Sequence, residues 1–168
     1  QKGLLLGAKS VTLTNYEKYK IKDIKKNDYL NYWKQLEKIF QKKLMPYDKI
    51  FKKINFIEKN VSIENFKSSK KYDIVTNTGV MEHVNNPKKA IKNMRSILKK
   101  NGHVFCGAIG IHDHRSNVKN SMFNPWSFLS IPTKKWNNMK KNSYHQNRFR
   151  ASDFKNIFEK NNFKTLVY

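Results

Sequence analysis

The segment 72–109 constrains the fold more than any other part of the chain. Residues 72–76 form a short apolar run with β-branched members, which predicts a buried strand. Asn86 and Pro87 are typical of a helix start, and apolar residues recur after them at helical spacing. Residues 103–109 are almost continuously apolar, as in a strand buried on both faces. Strand, helix and strand in so short a segment predict a βαβ unit with parallel strands.

The residues before this unit continue the same alternation. Residues 10–14 alternate apolar and polar residues and predict a first strand, and residues 55–58 predict a second. Between them a helix is predicted over 29–44, with Asp28 as its cap and Pro46 beyond its end. The apolar stripe of this helix consists of Trp33, Leu36, Phe40 and Leu44.

Residues 111–150 break the pattern. They are too rich in aromatic residues for a linker, so we expect an insertion that packs over one edge of the sheet and carries two short helices. Its scattered apolar anchors are Trp126, Phe128, Leu129 and Trp136. After it, Ser152 is expected to cap a further helix, and residues 163–168 predict the beginning of a last strand.

Length and cysteine content favour one intracellular domain. The chain has 168 residues, Cys106 is its single cysteine, and no apolar run approaches the length of a membrane span. We therefore expect a single domain over 1–168 and a cytoplasmic location. The chain opens at Gln1 inside an apolar stretch, and the last predicted strand is incomplete at Tyr168. These two features predict truncation at the N-terminus and also at the C-terminus.

The charge of the chain has two interpretations. Lys and Arg number 35 against 12 Asp and Glu, giving a formal net charge of +23. Such an excess can indicate nucleic-acid or polyanion binding. However, Arg, the better phosphate ligand, is scarce, and Lys, Asn and Ile are all encoded by A/T-rich codons. Biased genome composition is the favoured explanation, and polyanion binding stays open as the alternative.

Polar residues follow the predicted strands, at the edge where an open parallel sheet binds its ligand. Asn15 follows the first strand and Asn60 the second, and residues 77–79 follow the third. His112 and His114 come after the fourth strand. This pattern by itself predicts only the position of a site.

The run from Tyr72 to Gly102, YDIVTNTGVMEHVNNPKKAIKNMRSILKKNG, carries a more specific signal. It resembles the fourth strand, EHV-type turn, following helix and R-x-L-K-x-G-G ending of class I S-adenosylmethionine-dependent methyltransferases, with His103 in place of the second glycine. Segments before and after it are similar to members that methylate sugars or other small acceptors. The resemblance implies a Rossmann-like, doubly wound α/β fold with a mostly parallel sheet, and S-adenosylmethionine as cofactor.

Cofactor-binding residues follow from the resemblance, position by position. It puts Asn15 at the ribose hydroxyls, where the family usually has an acidic residue, and Asn60 with Val61 at the adenine edge. Residues Asn77, Thr78 and Gly79 would lie beside the methionine end of the cofactor. The family's glycine-rich G-x-G-x-G loop has no counterpart in this chain. Either that loop lies upstream of Gln1, or the domain is a catalytically inactive scaffold.

One histidine is a candidate catalytic residue. Methyl transfer from a sulfonium needs mainly alignment, and a base is required only where the acceptor is a hydroxyl. His83, next to Glu82 above the expected cofactor site, is the first candidate for this base because imidazole titrates near neutral pH. The alternative is that His83 caps a short helix or bonds a loop carbonyl.

Acceptor-side residues are predicted in the insertion. His112 and His114 are expected to line the acceptor site. No metal site is expected there, because side chains of adjacent residues on an extended chain point to opposite faces and rarely bind one ion. Four further residues could bind an anionic acceptor such as a phosphorylated sugar: Tyr144, His145, Arg148 and Arg150. A salt bridge to Asp153 is the alternative for the arginines.

Overall fold

A computed structural model describes most of the chain. It describes residues 10–15, 26–41, 43–44, 46, 49, 52, 54–139 and 146–166. The chain divides into two compact units, Gln1–Ser62 and Ile63–Tyr168. Tyr144 and His145, two of the predicted acceptor residues, lie outside the described residues.

The first unit contains a parallel strand pair with a helix between its strands in the sequence. Strand β1 spans Val11–Asn15, helix α1 spans Lys26–Phe40 and strand β2 spans Ile54–Asn60. The strands pair in parallel, with an irregularity in register just before the final pair, Asn15 and Asn60. Both strands lie where the sequence predicted them.

Helix α1 differs from its prediction at both ends. It begins at Lys26, so Asp28 lies inside the helix and is not its cap. It ends at Phe40, where Gln41 takes a left-handed φ of 46° that stops the helix well before Pro46.

The apolar stripe of α1 is only partly buried. Trp33 and Leu36 form a small core with Leu44. The backbone N–H of Leu44 donates to Glu37 Oε1 at 2.9 Å, which turns Leu44 back toward the helix. Phe40, the last helical residue, is 48% exposed, because the chain leaves the helical path directly after it.

The second unit contains the predicted βαβ arrangement. Strand β3 spans Tyr72–Thr78, helix α2 spans Pro87–Ile97 and strand β4 spans Leu98–Gly107. The side chain of Asn86 accepts a hydrogen bond from Lys89 N at 3.0 Å and caps α2 as predicted. β3 and β4 pair in parallel. Parallel pairs in an alternating α/β order are the arrangement expected of a Rossmann-like fold.

Strand β4 begins earlier than predicted and is buried on one face only. It follows α2 directly, and its register against β3 is irregular between Tyr72 and Ile74. Val104 and Cys106 pack against the core, whereas Ile74 and Phe105 are 60% and 62% exposed. The expectation of a strand buried on both faces is therefore wrong, since alternate side chains point to opposite sides of the strand.

Short helices follow β4. Two 3-10 helices span His114–Asn117 and Ser127–Ser130, and helices α3 and α4 span Thr133–Asn138 and Ala151–Lys160. Of the predicted anchors, Phe128 and Trp136 are buried with ring centroids 5.5 Å apart. Trp126 and Leu129 are exposed, because the short 3-10 helix turns one side toward the core.

The end of the second unit corrects two further expectations. Helix α4 begins one residue before Ser152, with Arg150 as its N-cap, and Asp153 accepts the backbone N–H of Arg150 at 2.7 Å. Residues 163–166 form no strand, and Phe163 instead stacks edge-on against Phe158. Among the described residues, no helix is both long and apolar enough to cross a membrane.

Candidate functional site

A tight turn after β3 brings two chemically active residues to the carboxyl end of the strand. Gly79 adopts a left-handed φ of 63°, which favours glycine, and its N–H donates to Gly107 O at 3.3 Å. The turn then closes with a hydrogen bond from His83 N to Val80 O at 2.9 Å. Glu82 and His83 therefore lie beside the end of β4.

Glu82 is a buried carboxylate of which one oxygen has a hydrogen-bond partner and the other has none among the described residues. Glu82 as a whole is 3% exposed. Its Oε1 accepts the backbone N–H of Gly110 at 3.0 Å. Its Oε2 is buried and has no hydrogen-bond partner within the described part of the chain. A buried carboxylate oxygen without a partner is costly, so this atom indicates a ligand position.

His114 completes a cluster with the two residues of the turn. One potential ligand atom from each of Glu82, His83 and His114 lies within 4.8 Å of the others. The ring centroids of His83 and His114 are 5.0 Å apart. We call these three residues the carboxylate–histidine cluster. The absence of a side chain at Gly110 leaves room for the His114 ring, whose Nε2 would contact a Cβ at that position.

The loop that carries His114 is fixed by a buried glutamine. Gln146 is 1% exposed, and its Oε1 accepts His114 N at 2.8 Å. Its Nε2 donates to Gly110 O and His112 O, both at 3.0 Å. Trp136 Nε1 donates to Gln146 O at 3.1 Å and holds the glutamine backbone in turn.

The next residue, Asn147, fixes the turn that carries Glu82 and His83. Its Nδ2 donates to Met81 O at 2.7 Å and to Val84 O at 3.1 Å, and its backbone N–H donates to Glu82 O at 2.7 Å. The sequence analysis missed both amides. No local signal marks them, because each bonds residues more than thirty positions away in the sequence.

The predicted acceptor histidines are in different surroundings. His112 Nε2 lies 3.1 Å from Asn117 Oδ1, outside the cluster. Asp113, between them, makes a bidentate ion pair with Arg115, with its shortest contact at 2.6 Å. Burial raises the pKa of Asp113, but the hydrogen bonds and charge of Arg115 outweigh it and bring the pKa below its ordinary value. Arg115 thus occupies the Asp113 carboxylate, while the ring centroids of His112 and His114 lie 5.4 Å apart.

The environment of His114 favours the neutral imidazole. Burial lowers its pKa, and the charges of His83 and His112 lower it further, while Glu82 and Asp113 partly offset this effect. A neutral imidazole can accept a proton or bind a metal ion.

The predicted cofactor residues fall into two groups. Asn15 and Asn60 are register partners at the end of the β1–β2 pair, and Val61 follows directly. In the second unit, Asn77 Nδ2 donates to Cys106 Sγ at 3.0 Å, so its side chain faces the core. Any cofactor contact of Asn77 would therefore use its backbone.

The edge after β3 leaves room for a ligand beside the backbone of the turn. Thr78 and Gly79 are exposed there. The nearest atom to a Cβ built on Gly79 would be Glu82 Oε1, at 3.9 Å, so the space above the turn is open. A backbone with a positive φ and an adjacent hydroxyl can approach a polar ligand closely.

The two arginines bond the insertion itself. Arg148 donates to Ile131 O at 2.6 Å and to Thr133 Oγ1 at 2.8 Å. Arg150 donates through Nη2 to Ile111 O and stacks over Trp126. Burial lowers the pKa of Arg150, although the charge of Asp153 partly offsets it.

Comparison with known proteins agrees with this geometry. A family model described as a methyltransferase domain matches residues 5–167 and thus runs through both units. No significant match was found among curated proteins or among solved structures. Because this match covers nearly the whole chain, the chain belongs to the methyltransferase domain family.

Proposed function

We propose that this protein transfers a methyl group from S-adenosylmethionine to a small-molecule or sugar-containing acceptor. The observation that carries the proposal is the carboxylate–histidine cluster at the carboxyl end of β3, where parallel α/β sheets bind their ligands. The family match over residues 5–167 supports a methyltransferase domain, and residues 111–150 would form its acceptor side.

The residues that the resemblance implies would contact the cofactor. Thr78 and Gly79 would contact its methionine end, together with the backbone of Asn77. Asn15 would bind the ribose hydroxyls, and Asn60 with Val61 would bind the adenine. When bound, S-adenosylmethionine supplies a methyl group on a sulfonium centre that needs no further activation.

The cluster supplies the acid–base chemistry. An acceptor hydroxyl must lose its proton as its oxygen gains the methyl group. His83 is exposed, so an acceptor hydroxyl can reach its imidazole, and it follows the buried Glu82 in the turn after β3. His83 is therefore the proposed proton acceptor, and His112 and His114 would line the acceptor.

An anionic acceptor would meet positive charge at the insertion. Arg150 Nη1 is buried and has no hydrogen-bond partner among the described residues, so it can bond an acceptor oxygen. Arg148, which bonds the loop over 129–133, would act by holding that loop. Tyr144 and His145 complete the proposed acceptor set.

Calorimetric titration with S-adenosylhomocysteine tests the proposal, together with transfer of labelled methyl groups to a panel of small hydroxyl acceptors. The full-length natural protein should bind S-adenosylhomocysteine. A His83→Gln variant should keep that affinity and lose about 10²–10⁴-fold in kcat, the usual contribution of a general base. His103→Gln, on an exposed position of β4, is the matched control and should behave like the wild type.

Two outcomes would contradict this function. Absence of S-adenosylhomocysteine binding would remove the enzyme assignment and favour an inactive scaffold or a polyanion-binding domain. Normal turnover by the His83→Gln variant would leave the methyltransferase but exclude His83 as the base.

A further inference from the structure

We propose that Glu82, His83 and His114 bind a divalent transition-metal ion, with Zn²⁺ as the ion that best fits their donor set. The inference rests on the proposed function only for the role of the ion, because the site itself is defined by these three side chains. One carboxylate and two imidazoles also form the usual protein ligand set of catalytic zinc sites.

The geometry brings the donor atoms within reach of one ion. One ligand atom from each residue lies within 4.8 Å of the other two, as expected around a shared centre after small side-chain adjustments. Adjacent residues on an extended chain point apart, but Glu82 and His83 lie in a turn, and one ligand atom of each lies within 4.8 Å of the other. His114 then approaches from the next loop.

The buried carboxylate gives a second and independent indication. Glu82 Oε1 is held by Gly110 N, whereas Oε2 has no hydrogen-bond partner in the described residues. A fold does not usually retain such a buried oxygen unless a cation or another ligand satisfies it. A metal ion at Oε2 would leave the bond to Gly110 intact and would orient the carboxylate, as outer hydrogen bonds do in metal sites.

The surrounding structure is built to hold the ligands in position. Gln146 fixes the backbone at positions 110, 112 and 114, and Asn147 fixes the turn around Glu82. Preorganised backbone on both sides lowers the cost of bringing three ligands together.

Three protein ligands leave at least one coordination position of the ion open, so the ion can bind and activate a substrate atom. An acceptor hydroxyl oxygen could occupy that position, where the ion would lower the pKa of the hydroxyl. The oxygen would then form the bond to the methyl carbon as the bond from carbon to sulfur breaks, and the hydroxyl proton would leave to solvent. With the ion bound, His83 would act on the acceptor hydroxyl through the ion, as one of its ligands.

Cobalt spectroscopy tests the site without any turnover. Protein freed of metal with a chelator is titrated with Co²⁺, whose visible d–d bands report nitrogen and oxygen coordination, and Zn²⁺ is then added as a competitor. The variants are Glu82→Gln, His83→Gln and His114→Gln. The control is His103→Gln, which removes an exposed histidine of β4 that is not part of the cluster.

We expect the wild type and His103→Gln to bind one Co²⁺ per chain, with the bands lost on addition of Zn²⁺. Each cluster variant should weaken the apparent affinity by at least about 100-fold, since even outer-shell changes cost about 10–100-fold. His83 is exposed, so the His83→Gln variant should keep the fold, which circular dichroism can verify. If Glu82→Gln does not fold, the result with His83→Gln decides the test. Absence of d–d bands in the wild type, or wild-type titration by His83→Gln and His114→Gln, would overturn the proposal.

The metal site and the proposed function can fail separately. Binding of S-adenosylhomocysteine is measured in the presence of chelator, and Co²⁺ binding is measured without S-adenosylhomocysteine. In an assay that supplies S-adenosylmethionine and an acceptor, chelator should abolish methyl transfer if the ion activates the acceptor. Full activity in chelator would instead support His83 as a metal-independent base and contradict the role of the ion.

Discussion

At the scale of single residues, two neighbouring amides link the loops that form the site. Gln146 holds the loop after β4, and Asn147 holds the turn after β3. Because Gln146 and Asn147 are adjacent in the chain, the two loops that they bond are held in a fixed position relative to each other. Positioning by second-layer hydrogen bonds is how a site keeps its ligand geometry.

Replacement of Gln146 by Leu should destabilise the protein by about 1–3 kcal/mol, because three backbone groups lose their buried partner. Urea unfolding measures this change. Asn156→Leu, at an exposed amide of α4, is the control and should change stability by less than about 0.5 kcal/mol. An unchanged unfolding midpoint for Gln146→Leu would mean that the loop does not depend on this amide.

At the scale of elements, the irregular start of β4 depends on one glycine. Tyr72 pairs with Leu98 but Ile74 pairs with His103, so extra residues bulge out of β4. A Cβ at Gly102 would lie 2.8 Å from Leu98 Cδ2 and 3.1 Å from the carbonyl oxygens of Tyr72 and Asp73. The close approach of β3 and β4 backbones therefore requires glycine at this position.

Gly102→Ala should cost about 1–3 kcal/mol through steric strain, because the carbonyl oxygens belong to a paired strand and cannot move freely. The midpoint of urea or thermal unfolding reports the loss. The neighbouring Asn101→Ala, at an exposed position, should be close to neutral. Wild-type stability of Gly102→Ala would show that the bulge relaxes at little cost.

At the scale of the whole molecule, positive charge covers the surface. Every lysine whose side chain the structure describes is exposed, and the formal net charge is +23. Exposed charge of one sign attracts polyanions by counterion release, independently of any shaped site.

The dependence of affinity on salt concentration should distinguish polyanion binding from cofactor binding. RNA binding that involves about six or more phosphates should fall by at least about 10³-fold between about 50 mM and about 200 mM salt. Affinity for S-adenosylhomocysteine should change little over the same range, because it does not depend on phosphate contacts. Fluorescence titration measures the first and calorimetry the second. RNA affinity that persists at the higher salt would favour a shaped nucleic-acid site and an RNA acceptor.

The sequence by itself determined the local elements and their order. Asn86 and Pro87 define the start of α2, and the spacing of Ala90, Ile91 and Met94 defines its buried face. These predictions succeed because caps, fixed proline geometry and helical periodicity act within a few residues. The same locality supports the parallel βαβ unit and the position of the site at its carboxyl edge.

Tertiary structure alone decided which residues meet. The end of α1 at Gln41, the exposure of Phe105 and the bonding of Asn77 toward Cys106 depend on neighbours distant in sequence. The carboxylate–histidine cluster depends on them too, because Glu82 and His114 belong to separate loops. Their approach is set by Gln146 and Asn147, whose hydrogen bonds span more than thirty residues and leave no periodic trace in the sequence.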